Sequence, residues 1–351
     1  MDNARSSIVK VIARIGKFFM FYFSNLLAPP ILFFGLGFLI CLMKSDLKFS
    51  SGFINGLSAY LIIGIGLHGG VMLRNAQLEM AFMSILVALI LGVALSFIAY
   101  FAFLYLGGFD KFNSSAVAAH YGSVSLGTFL TAIAFLTDQN IPYEGYPTIM
   151  LAVMEVPSII IGIILAKIAR KRTDSHLLNT EQNNSLQERT IVREVFTSGS
   201  IMLLIGSIVI GYIAQIKGIQ ALDPFFGDIF NGVLCLFLVC MGIEAAKRIH
   251  EVYKMGLFLL AFGVFMPIVG GLLGIILGKF VLGFEVGGMT LVAVLGASAS
   301  YIAAPAVIKK AIPEANPTLY LTLALGITFP FNVTLGIPLY YKISQLLVTF
   351  Y

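Results

Sequence analysis

Four serines in two short stretches of small residues are the first candidates for chemistry. Ser123 and Ser125 lie in "YGSVS", and Ser298 and Ser300 lie in "GASAS". Each stretch sits inside an apolar run long enough to cross a bilayer. Pro305 follows the second pair. Proline lacks an N–H and clashes with the preceding turn, so a straight helix is not expected there. Non-helical backbone at membrane depth is tolerated only where it is buried in protein or lines a cavity. If both runs break, two half-helix N-termini can face each other near the midplane. Their N–H groups and positive dipole ends favour an anion without any buried Arg or Lys. Serine hydroxyls can supply the remaining hydrogen bonds. One such motif alone would be read as close helix packing through small residues. Two matched motifs point instead to a binding site.

Glu155, in "LAVMEVPSIII", is an acid within a span, where acids are costly and usually functional. Three roles are open to it: holding a sodium ion, carrying a proton, or bonding as a neutral acid to backbone freed by Pro157. Asn332 and Thr334 follow Pro330 in "ITFPFNVTLG". They offer oxygens to a hard cation or hydrogen bonds between helices. His120 is read as a buried hydrogen-bonding residue. The glycines beside His68 suggest tight packing. Arg74 and Glu244 lie at span ends, where they snorkel or pair. Cys41, Cys235 and Cys240 fall in apolar segments without metal-site spacing and are read as small core residues. With four His residues and no HExxH, P-loop or GxSxG motif, neither an enzyme nor a cofactor is expected.

The elements that must position these residues are helices. The chain is 59% hydrophobic and 11% charged, far from the roughly 25% charged residues of a soluble domain. The expected class is an all-α polytopic membrane protein. The net charge of +5 sits in loops, so it bears on membrane orientation rather than on nucleic acid. Residues 1–24 predict an N-terminal amphipathic helix. Lys10, Arg14 and Lys17 share one face and Ile8, Ile12, Ile15 and Phe19 another. This charged pattern is not that of a cleavable signal.

Ten spans follow, at about 25–43, 53–73, 80–106, 114–136, 146–169, 198–216, 226–246, 254–282, 288–309 and 317–348. A polar linker, 170–197, separates the first five (25–169) from the second five (198–351). Most Lys and Arg residues fall in the linker and in loops on its side, among them Lys44, Lys48, Lys111, Lys247, Arg248, Lys309 and Lys310. That bias predicts a cytoplasmic linker. The basic N-terminal segment, on the opposite side, runs against it. The halves share features in order. "HYGSVS" then "IPYEGYP" answers to "GASAS" then "IPEANPT", and "MEVPSIIIG" answers to "ITFPFNVTLG". Five spans per copy force the second copy to insert upside down, the plan of inverted-repeat transporters with broken helices at the site.

The stretches "GLHGGVMLRNAQL", "YGSVSLGTFLTA" with "QNIPYE", "MEVPS", "MGIEA" and "ASASYIAAPAVIKKAIPEANP" resemble the sodium-dependent bicarbonate transporter family, known best from cyanobacteria. The similarity spans nearly the whole chain apart from the N-terminal helix and the linker. It implies sodium-coupled bicarbonate symport across a bacterial plasma membrane by an elevator-like alternation. It implies a gate domain of spans 1, 2, 6 and 7, a mobile core domain of spans 3, 4, 5, 8, 9 and 10, and a homotrimer. By position, Gly122, Ser123, Ser125, Ser298, Ala299, Ser300 and Tyr301 would hold bicarbonate, and Glu155, Thr128, Asn332 and Thr334 the sodium ion. Relatives tend to carry an acid where this chain has Tyr301. The family's small PII-like regulator is an implied partner, although the linker here is short. The residues themselves leave open a proton-coupled carrier of another small anion or carboxylate, and a passive channel.

Overall fold

The computed structural model describes residues 26–173, 193, 197–254 and 256–350, and every regular element among them is helical. The expected N-terminal helix and most of the expected linker lie outside the described residues. In chain order the main helices are α1 (Pro29–Leu42), α2 (Ser51–Met72), α3 (Leu78–Leu106), α4 (Lys111–Tyr121) and α5 (Leu126–Asp138). Then come α6 (Tyr146–Thr173), α7 (Gly199–Ile213), α8 (Phe230–Lys247) and α9 (Leu257–Phe280). Last are α10 (Val286–Ala297), α11 (Ala303–Ala311) and α12 (Pro317–Thr349).

Seven helical segments are long and apolar enough to cross a membrane, counting α4 and α5 as one interrupted segment. Three others, α1, α7 and α10, are apolar but shorter. At 1.5 Å per residue their 14, 15 and 12 residues fall short of a ~30 Å hydrocarbon core as straight rods. The reasons are local. α1 starts on Pro29, which has no N–H to give a preceding turn, and α10 stops where the chain breaks.

Glycine decides how closely the helices pack. α1 lies against α8 with Gly37 and Gly242 at the contact. A β-carbon on Gly37 would stand 2.8 Å from the Val239 carbonyl carbon, and one on Gly242 would stand 2.8 Å from the Phe38 nitrogen. In lipid, where helices gain little from the hydrophobic effect, such backbone approach is a main source of association. Gly242→Leu is expected to cost at least about 1–3 kcal/mol by overpacking, read as a lowered melting temperature in detergent. α2 packs on α7 in the same manner, through Gly70 and Gly211. A second group forms around α3, α4 and α6, and a third around α9, α10 and α12.

Polar contacts tie the helix ends into two opposite faces. On the linker face, Arg170 near the end of α6 donates to both Glu314 carboxylate oxygens at 2.6 Å and to the Ala311 carbonyl at 2.9 Å. It thereby caps α11. The Arg170 guanidinium holds the Glu314 carboxyl below the ordinary value of 4.5. A carboxyl lowered by folding contributes stability that is complete above its unfolded value and is lost as pH falls through the folded one. The glutamate is about one-third exposed, so the contribution should stay under about 1 kcal/mol. The melting difference between the parent and Glu314→Gln should therefore be present at pH 7 and vanish near pH 3.

On the opposite face, Arg74 donates to the Gly211 and Ala214 carbonyls and so closes the C-terminus of α7. Glu144 accepts from the Glu285 N–H at 2.9 Å where α10 begins. Back on the linker face, at the C-terminal end of α8, Glu244 pairs with Lys247 at 2.5 Å. Of the two readings open at span ends, Arg74 and Glu244 take pairing.

Candidate functional site

Two breaks cross in the middle of the bundle. The first runs from Tyr121 to Leu126 and the second from Ala297 to Ala303. They are stitched by backbone donors. The Ser125 N–H donates to Ser298 Oγ at 3.0 Å, and the Ser300 N–H donates to the His120 carbonyl at 2.9 Å. Ser298 Oγ in turn donates to the Leu295 carbonyl at 3.1 Å. Helix ends leave unpaired N–H and C=O groups, and here each break satisfies part of the other's deficit. Pro305 is the third residue of α11, where its missing N–H costs nothing because first-turn donors have no intrahelical partner. The break thus falls before the proline.

Each half-helix is capped by the second serine of its motif. Ser125 Oγ accepts from the Thr128 N–H at 3.2 Å and from Thr128 Oγ1 at 2.9 Å. Ser300 Oγ accepts from the Ala304 N–H at 3.2 Å. Ser125 Oγ thus accepts two hydrogen bonds and Ser300 Oγ one, and each hydroxyl keeps its O–H as a donor. The Tyr301 hydroxyl is buried beside Ser125 and Gly127 and closes no hydrogen bond of ordinary geometry among the described residues.

Ser125, Ser300 and Tyr301 line one small cavity of about 40 Å³. Glu155 of α6 lines it too, its carboxylate without a hydrogen-bond partner or ion pair among the described residues. Pro157 withholds the N–H that would have served the Val153 carbonyl. The wall on the other side is Ser58 and Ile62 of α2 and Ser200 and Leu204 of α7. Among the described residues no Lys, Arg or His lines the cavity. The group is made of donors plus one acid: a small acceptor-rich ligand fits the hydroxyls, and a cation fits the acid.

The other expected residues are placed elsewhere. Gly122 packs against α3 and α6, where a β-carbon would stand 2.6 Å from the Gly92 carbonyl oxygen and 2.7 Å from Ser158 Oγ. Ser123 is fully buried with an unpartnered hydroxyl and does not line the cavity, and Ser298 and Ala299 brace the second break. Thr128 is held to Ser125. Asn332 has both ends engaged: its amide donates to the Ala297 carbonyl at 2.8 Å, and its oxygen accepts from Tyr340 at 3.0 Å. It closes the C-terminus of α10. Thr334 donates to the Pro330 carbonyl at 2.7 Å. The π turns at Thr322–Thr328 and Asn332–Gly336 flank Pro330, whose missing N–H interrupts the regular ladder. His120 bonds the Ala116 carbonyl through Nδ1 at 2.7 Å and stacks on Tyr320. Among the described residues no group of three or more His, Cys, Asp or Glu is arranged for a metal ion.

A family model described as the Na+-dependent bicarbonate transporter superfamily matches residues 29–345, most of the chain. The chain belongs to that superfamily. A search of curated proteins found no match. As a multi-pass membrane transporter it places its breaks and its cavity where substrate can be held away from lipid. Sequence reasoning missed two polar lining residues of this transporter's cavity, Ser58 and Ser200. Their only signal was a hydroxyl inside an apolar helix, which packing uses as often as binding does.

Proposed function

We propose that this transporter moves bicarbonate together with sodium by alternating access across a bacterial plasma membrane. The observation that carries the reading is one cavity lined by three hydroxyl-bearing residues, Ser125, Ser300 and Tyr301, with Glu155 beside them. Two of these hydroxyls cap half-helices, so the positive ends of both dipoles point the same way as the donors. An anion binds there without a basic residue, as at other broken-helix sites. Glu155 supplies a charge for the coupling cation, whose presence offsets the repulsion between carboxylate and substrate.

The two halves are proposed as inverted copies. In support, Gly92 of α3 abuts the first break at Gly122, and Gly270 of α9 abuts the second at Gly296. The pairs α1·α8 and α2·α7 are proposed as the gate domain, against which the remaining helices carry the site. A homotrimer is proposed from the family resemblance, and crosslinking in native membranes checks it. Uptake of labelled bicarbonate into proteoliposomes, with and without an imposed sodium gradient, tests the function. Accumulation above equilibrium only with inward sodium is the expected result. A second reading, proton-coupled transport of another small carboxylate, is favoured by the solitary carboxylate. It predicts accumulation driven by a pH gradient without sodium.

A further inference from the structure

The substrate cavity is one of two cavities along the same path. Its wall includes Ser200 at the start of α7, on the linker face, and Ser125 and Leu126 at the start of α5. The second cavity, about 390 Å³, lies farther along α5, at Thr131, Thr137 and Asp138. It also reaches Pro29 at the start of α1 and Asn231 at the start of α8, on the opposite face. Between them stand four rings. Phe329 of α12 meets Tyr301 edge-on at 5.2 Å and Phe34 of α1 edge-on at 5.6 Å. Phe237 of α8 joins them at Gly127, where a β-carbon would stand 3.0 Å from the Phe237 ring and 3.2 Å from the Phe329 ring. All four are buried.

We propose that the second cavity is the opposite-face vestibule of the transport path, and that Phe34, Phe237, Tyr301 and Phe329 form the barrier that separates it from the substrate cavity. The barrier is thin. From Leu126, in one cavity, to Thr131, in the other, α5 advances five residues, about 7.5 Å. Thr131 donates to the Gly127 carbonyl at 2.7 Å, so the floor of the vestibule is tied to the glycine that receives the rings. The barrier also has two owners. Phe34 and Phe237 come from the pair α1·α8, whereas Tyr301 and Phe329 belong to elements packed around the breaks. Sliding of one set past the other separates the rings without breaking a hydrogen bond between them. A glycine is required at position 127 because any side chain would occupy the space the rings fill. Asp138, Asn231 and Thr137 lie at the vestibule's outer end, and at its inner end the one hydroxyl, that of Thr131, is spent on the Gly127 carbonyl, which leaves an apolar floor. Water and solute therefore meet an apolar constriction before the hydroxyls. This inference rests on the chain being a transporter, but not on bicarbonate being its substrate.

Single cysteines introduced after Cys41, Cys235 and Cys240 are replaced by serine test it. Asn231→Cys reports the vestibule and Leu126→Cys the substrate cavity. The readout is the initial rate of labelling by a membrane-impermeant maleimide applied to each face of sealed vesicles, without sodium or bicarbonate. Asn231→Cys should label from the face opposite the linker, and Leu126→Cys only from the linker face. Adding Phe329→Ala should raise Leu126→Cys labelling from the opposite face at least about tenfold, the effect of lowering a barrier by about 1.4 kcal/mol. Phe237→Ala serves the same purpose if the first variant does not fold. Two-sided labelling of Leu126→Cys in the parent would overturn the proposal. So would an Asn231→Cys unreachable from the opposite face, or a ring variant that folds and leaves the rates unchanged. Failure of bicarbonate uptake in proteoliposomes would strike the substrate assignment alone, because labelling reads access and not cargo.

Discussion

Uptake is expected to vanish in Ser125→Leu and in Ser300→Leu while the protein still purifies as a folded species. The cavity these residues share is small, about 40 Å³. A leucine side chain would fill it and would remove an O–H donor as well. The same change also removes a helix cap, since Ser125 serves the Thr128 N–H and Ser300 the Ala304 N–H. Losing a cap costs about 0.5–2 kcal/mol, a tolerable loss for a bundle of this size. Ser→Ala variants separate the two effects. Alanine loses the cap and the donor but leaves the space, so Ser125→Ala and Ser300→Ala should transport with weakened apparent affinity, roughly tenfold for one lost donor to an anion. Initial rates of labelled bicarbonate uptake against concentration measure both. Normal rates in both leucine variants would remove this cavity from the transport path.

The serine motifs were legible because their chemistry conflicts with their setting. Hydroxyls, glycine and proline inside an apolar run ask for a break, and both breaks fall where the motifs predict, at Ser123–Ser125 and Ser298–Ser300. The division of labour within each motif was not legible. Only the second serine of each lines the cavity; residues two apart in a regular extended segment would share a face, so the bends at each break, not strand alternation, separate the two serines. The first serine of the second motif, Ser298, faces back and serves the Ser125 N–H instead. Asn332 and Thr334 answer to Glu155 in the repeat proposed from the sequence, but a polar residue in a membrane has two uses that look alike in sequence. Here the amide of Asn332 closes a helix end at Ala297, which only the crossing of α10 and α12 reveals. Likewise, α1 and α7 read as full spans from hydropathy alone. Their helices are shorter because backbone hydrogen bonding stops at Pro29 and at Ala214, not where the apolar run ends. Ser58 and Ser200 come from helices far from the motifs in sequence, and tertiary packing alone makes them neighbours of Glu155.

Glu155→Gln is expected to bind the anion yet lose its coupling to sodium. The side chain keeps its shape and stays in the cavity wall with Ser125, Ser300 and Tyr301, but the charge is gone. Among the described residues the lining holds no basic group, and Glu155 is the single formal charge a cation meets there. At about 4 Å and an effective dielectric near 20, an ion pair is worth about 4 kcal/mol. Even a third of that, once desolvation is counted, is about tenfold in sodium affinity. The variant should therefore need at least about ten times more sodium for half-maximal uptake, or lose the sodium response and carry bicarbonate only downhill. Relatives with an acid at the position of Tyr301 would hold the cation with two charges where this chain has one. A phenol, with an ordinary pKa near 10, contributes a neutral oxygen at pH 7. Tyr301→Asp should accordingly shift the sodium dependence of the parent to lower concentration. It should also weaken anion binding in the absence of sodium, because a second carboxylate repels the substrate. The double variant Glu155→Gln with Tyr301→Asp separates charge from position. Restored sodium dependence would mean that the cavity needs one carboxylate and accepts it from either wall. Sodium curves that coincide in the parent, Glu155→Gln and Tyr301→Asp, with uptake intact, would place the coupling ion outside this cavity.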